Sequence, residues 1–171
     1  MGIATELYTV RSARVRHVHD YWNELRGARF APTRAEIDPA DLRDLLPSIL
    51  MVDIEPEPFR VRYRLVGTQV AEVSGFDFTG RYLDELGFVS LEGEFQRTYQ
   101  RVWREQVPVY TRPLWPFDSE LQTRYDLGVF PLSDDGRTVT RALAIEGYEE
   151  IEKKPSIQQR NFDWQRRRTI L

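Results

Sequence analysis

The sequence contains no cysteine. Disulfides, zinc–thiolate sites, iron–sulfur clusters, a cysteinyl nucleophile and a cysteinyl flavin adduct are excluded with it. Histidine is nearly as scarce. His17 and His19 are the pair, so a metal site would need carboxylates for its other ligands. Lysine is confined to Lys153 and Lys154, against 22 arginines. Arginine's planar fork suits fixed, bidentate ion pairs, although a GC-rich gene produces the same bias. No apolar run approaches the roughly 18 residues of a membrane span. Residues 1–10 lack the basic start and apolar block of a secretory signal. The expected setting is the cytoplasm. No Gly-x-Gly-x-x-Gly or Walker-type run is present to cradle a phosphate, so Gly67, Gly75 and Gly80 are expected to serve turns.

What is present suffices for one domain with a sizeable core. Of 171 residues, 41% are hydrophobic and 30% charged. The net charge of −3 does not invite nucleic acid or anionic lipid. The short basic run Arg166 to Arg168 reads as a solvated tail.

Local patterns give an element order. Val15, Val18, Trp22 and Leu25 form one apolar stripe over residues 14–26, and Gly27 ends that helix. Asp38 and Pro39 predict a second helix over residues 38–46, closed by Pro47. A short strand is expected over residues 49–54. Residues 59–66 give the clearest strand: Phe59, Val61, Tyr63 and Leu65 alternate with Arg60, Arg62 and Arg64. A bare row of three arginines repels itself, so carboxylates such as Asp126 or Glu146 are expected beside it. Residues 67–86 read as broken helical pieces. A longer helix capped by Ser90 runs to about residue 106, with Leu91, Phe95, Tyr99 and Val102 on one stripe. Three strands follow, over residues 109–117, 123–132 and 138–148. The connections carry Asp118, Glu120, Asp134 and Asp135, which read as turn acids.

Five short runs, in this order, resemble a PAS-like family of mostly single-domain bacterial proteins. They are Trp22-Asn23-Glu24-Leu25-Arg26-Gly27 leading to Pro32 and Arg34; Ile37-Asp38-Pro39 before Leu42, Leu45, Leu46 and Pro47; Arg62-Tyr63-Arg64-Leu65-Val66-Gly67-Thr68; Phe78-Thr79-Gly80-Arg81 before Leu83; and Pro131-Leu132-Ser133-Asp134-Asp135-Gly136. The resemblance implies an α+β fold. Its five-stranded antiparallel sheet has spatial order 2-1-5-4-3, with helices packed on one face and an N-terminal helix besides. On this basis the chain divides into an N-terminal helical segment (1–27), the PAS-like domain (28–150) and a charged tail (151–171). Such domains bind small ligands in the cleft or mediate protein contacts. The family supplies no single ligand, no cofactor and no catalytic set.

Two groups of residues are candidates for sites. Tyr63, Tyr99, Trp103, Trp115 and Tyr125, with Tyr110 nearby in the pattern, are polar-tipped aromatics expected where sheet and helix meet. With Arg112 and Arg141 they could line a cleft that stacks a planar ligand and pairs its acid group. Ordinary core packing accounts for the same aromatics. The stripe Val15, Val18, Trp22 and Leu25 is the candidate dimer surface, because a short isolated helix is marginal in water and must bury its apolar face. His17 and His19, two apart on a helix, point in different directions and read as surface residues.

Three functions stay open. The first is a sensory or signalling module that binds a small molecule or a partner protein, works as a homodimer and passes its output to a separate signalling protein. The chain leaves no residues for an attached kinase, cyclase or DNA-binding segment. The second is a pure protein-interaction domain with a filled core. The third is a small isomerase or dehydratase using a buried Asp beside a Tyr. No enzymatic turnover, no bound metal, no membrane contact and no nucleic-acid partner are expected.

Overall fold

The computed structural model describes residues 7, 9–87, 92–115 and 123–149. Helix α1 spans Ala13–Arg26. It starts where Ser12 Oγ accepts from the Val15 amide at 3.2 Å, satisfying one of the free amides of the first turn. It stops at Gly27, whose φ of 56° is open to a residue without Cβ.

The helix expected over residues 38–46 does not form. The Asp38 carboxylate accepts from the Ala40 amide at 2.8 Å, a local bond that competes with a helical first turn. Residues 39–45 run as successive turns and close in a short 3-10 turn, Leu46–Ser48. Pro47 lies inside that turn instead of ending a helix. With prolines at 39 and 47, too few residues remain to repay helix nucleation.

Strands β1 (Ile49–Pro56) and β2 (Phe59–Val66) form an antiparallel hairpin. Helix α2 (Thr68–Ser74) and a 3-10 turn at Leu83–Glu85 make up the broken region. Helix α3 spans Glu92–Glu105, so the expected cap Ser90 and stripe residue Leu91 lie outside the described residues. Then come β3 (Val109–Thr111), β4 (Leu114–Trp115), β5 (Thr123–Arg124), β6 (Asp126–Leu132) and β7 (Arg141–Gly147). The main sheet has the order β2-β1-β7-β6-β3, antiparallel throughout. That is the order expected for five strands. Two of the expected long strands are divided: β4 and β5 leave the sheet as a separate ribbon. Pro113, which has no N–H to give a ladder, sits at the first division, and its carbonyl takes the Tyr125 amide at 3.1 Å. Of the expected turn acids, Asp118 and Glu120 lie outside the described residues. Asp135 does serve its turn: it accepts from the Arg137 and Thr138 amides, both at 2.8 Å.

Each face of the sheet carries a buried core. On the inner face, Leu50, Val52, Ile54, Val61, Ala142 and Ala144 pack with Val70 and Val73 of α2 and with Phe95, Tyr99 and Val102 of α3. On the outer face, Val15, Val18 and Trp22 of α1 pack with Ile49, Met51, Tyr110, Phe130, Leu143 and Ile145. The pleat sends alternate residues of β1 and β7 to opposite cores. Two glycines let α1 lie close. A Cβ on Gly128 would stand 2.8 Å from Val15 Cγ1, and one on Gly147 would stand 2.1 Å from Ser12 Oγ. Gly128→Ala is therefore expected to cost about 1–3 kcal/mol by forcing α1 off the sheet. Urea denaturation of the two proteins measures it, and an unchanged midpoint would refute it.

Strand β2 breaks its own alternation. Val52 pairs with Tyr63 and Met51 with Leu65, leaving Arg64 as a bulge. Phe59, Val61 and Tyr63 face inward as expected. Leu65 follows the extra residue and turns outward, 43% exposed. The arginine row does meet carboxylates, from other residues than those expected. Arg60 pairs with Asp84 at 2.7 Å, and Arg64 pairs with Asp53. Arg62 donates to the Gly80 carbonyl and sits near the Tyr82 ring.

Candidate functional site

Among the described residues, two places lined by strands of the main sheet combine space with polar groups. The first lies between the sheet and helices α2 and α3. Tyr63, Tyr99 and Tyr125 come together there around Glu146, with Phe78 and Phe95 closing the sides. The free space is about 20 Å³. That is room for one water molecule, which needs about 10–15 Å³. Tyr63 and Tyr99 hydrogen-bond to each other through their hydroxyls. The Tyr148 hydroxyl donates to Glu146 Oε2. Burial pushes the Glu146 carboxyl up to about 8. Burial likewise raises the phenols of Tyr63, Tyr99 and Tyr125. At neutral pH the cluster is thus an uncharged, hydrogen-bonded plug.

The second place is on the outer face, on the part of the sheet that α1 leaves bare. It is a groove of about 440 Å³. Ile49, Met51, Leu65 and Leu143 give it an apolar floor, and the turns over residues 37–46 form one wall through Ile37, Leu42 and Leu46. Arg34, Arg64 and Arg141 stand around it with one acid, Asp53. Asp53 accepts from both Arg64 and Arg141, the latter at 3.1 Å. Arg141 also reaches Asp134 at 3.3 Å.

A family model for the PAS domain matches residues 10–145. The chain belongs to the PAS domain family. Among solved structures it is similar to a sensory box sensor histidine kinase from Vibrio cholerae, at 16% identity and a TM-score of 0.44, covering 63% of this chain and 85% of that one. No curated protein matches it.

Within this PAS domain the expected ligand residues do not form one cleft. Tyr63, Tyr99 and Tyr125 are together inside. Trp103 packs on Phe59, with ring centroids 5.6 Å apart. Arg141 faces the outer groove. Arg112 is committed elsewhere: it pairs at 2.8 Å with Asp126. Asp126, buried, also accepts from the Arg11 and Ser12 amides at 2.5 and 2.6 Å. Together with Glu149, which accepts from Ser12 Oγ at 2.7 Å, this carboxylate fixes the start of α1. Trp115 belongs to β4, and its side chain lies outside what is described.

The expected dimer surface is corrected as well. Val15 and Val18 have no exposed area and Trp22 has 3%, all within this chain's own outer core, and Leu25 packs against it. Trp22 Nε1 donates to the Pro131 carbonyl at 2.8 Å. The stripe docks on Phe130, Leu143 and Ile145 of the sheet's outer face. The arginine row itself occupies the β2 edge. His19 is also more than a surface residue: Nδ1 lies 2.5 Å from the Tyr110 hydroxyl, and burial lowers the ring's pKa. His17 is exposed.

Sequence reasoning missed the groove and the role of Glu146. The signal for Glu146 was present. It continues the inward series Ala142, Ala144 of β7, where an acid is out of place. For the groove there was none, because its exposed leucine depends on the bulge. No helix among the described residues is long and apolar enough to cross a membrane, and no group of three or more histidine or acidic residues there could hold a metal.

Proposed function

We propose that this PAS domain is a signalling module that acts by contact with a separate protein, with no resident small molecule between its sheet and its helices. The observation that carries this is the inner cavity of about 20 Å³. Ligand sites for metabolite-sized molecules run to about 300 Å³ and more. Side chains of Tyr63, Tyr99, Tyr125 and Phe78 occupy that volume here, and the Tyr63 and Tyr99 hydroxyls bond each other. The reading assigns no catalytic step. Glu146, the acid with the raised pKa, is sealed among side chains and faces no cleft that admits a substrate. The cytoplasmic setting belongs to the same reading.

Native mass spectrometry of freshly purified protein tests it. The expected spectrum shows the mass of the chain, or a simple multiple of it, with nothing retained. A stoichiometric small molecule that survives gentle desolvation would overturn the reading in favour of a ligand sensor.

A further inference from the structure

We infer that the outer groove is the docking site for a partner-protein segment that carries leucine-type side chains together with carboxylates. The inference rests on the contact reading above and names the surface and the chemistry of the contact. Three observations converge on it. The floor is apolar and includes Leu65, which among the described residues is the large hydrophobic side chain left substantially exposed. An exposed leucine beside Met51 and Leu143 gains by being covered. The rim carries three guanidinium groups against two carboxylates, Asp53 and the Asp134 that Arg141 also bonds. This positive rim belongs to a chain whose net charge is −3.

That contrast selects the occupant. An acidic segment is repelled by the molecule as a whole and attracted at this place, so charge fixes where it lands as well as how fast. Arg64 is half exposed and bonds Asp53 through Nε, and Arg141 is bound to Asp53 and Asp134 through Nε and one terminal nitrogen. Arginine offers five N–H donors in all, so each can take a further carboxylate oxygen without releasing Asp53. A basic segment would meet three like charges. A purely apolar one would leave the rim groups facing a dry surface. A groove of about 440 Å³ floored by residues of β1, β2 and β7 suits a short amphipathic segment, held by apolar anchors and steered by its acids.

The test uses the full chain and two fluorescein-labelled amphipathic peptides. Both have leucine on one face; the other face is glutamate in one and lysine in the other. Fluorescence anisotropy is expected to show saturable binding of the glutamate peptide, weakening with added salt, and no saturation with the lysine peptide. Leu65→Glu and, separately, Arg64→Glu should each weaken the glutamate peptide at least about tenfold. Both positions are exposed, and circular dichroism should confirm that each variant keeps its fold. Methyl signals of Leu65, Leu143 and Met51 should shift on titration. Absence of binding, equal binding of both peptides, or binding untouched by the two variants would overturn the inference. So would a concentration-dependent dimer that Leu65→Glu dissolves, since a second copy would then be the occupant. None of these outcomes affects the mass-spectrometric result. A retained small molecule would instead sink the contact reading itself.

Discussion

Replacing Glu146 with glutamine should raise stability at pH 8 by about 4 kcal/mol and leave it nearly unchanged at pH 4.5. The unfolded chain ionises this carboxyl near 4.5 and the folded protein at about 8, because burial disfavours the charged form. Below pH 4.5 both states hold the proton, and the residue adds no pH dependence. Between the two values the unfolded state releases a proton that the folded state keeps. Stability then falls with rising pH by about 1.4 kcal/mol per unit, and levels off above 8. Glutamine is neutral throughout and can still accept from the Tyr148 hydroxyl. Urea midpoints of both proteins between pH 4.5 and 8.5 measure the difference. The wild-type curve should fall away from the flatter curve of the variant, and parallel curves would show that Glu146 titrates normally in the fold.

Trp22→Ala should destabilise the protein by about 4 kcal/mol. The indole fills the outer core against Phe130, with ring centroids 6.0 Å apart, and its N–H satisfies the buried Pro131 carbonyl. Removal leaves a cavity and an unpaired acceptor together. If the stripe instead served a partner helix, the variant would stay folded and change its oligomeric state. Guanidinium denaturation and light scattering on the same samples separate the two. The expected outcome is a lower midpoint with no change of mass while the protein remains folded.

The fold was legible where one strand or helix carried its own period. The stripe of α1 and the alternation at the start of β2 each required a buried face, and the order of strands came with the PAS-like resemblance. Elements that depend on a neighbour were not legible. The bulge at Arg64 exists only in the register of β2 against Met51 and Val52. The turns over residues 37–46 have no period of their own. The candidate site failed for a related reason. Choosing aromatics and arginines by type does not say which core each one enters. Arg141 and Ala142 are adjacent in the chain, yet the pleat sends one to the groove and the other inside. Arg112 was assigned to a ligand, but a buried acid three strands of sequence away, Asp126, already holds it at the foot of α1.

The extra residue in β2 lets two consecutive side chains, Arg64 and Leu65, stand on the same outer face. Any substitution at Arg64 keeps the count, so Leu65 still faces outward. Deleting Arg64 would restore strict alternation with Leu65 still opposite Met51, so the leucine would keep its outward face and lose only its arginine neighbour. Gly67 would stay in register, beside the Pro47 carbonyl that lies 2.3 Å from where a Cβ on that glycine would sit. Homologous chains without the extra residue should therefore keep the leucine on the outer face with no cation next to it in the strand.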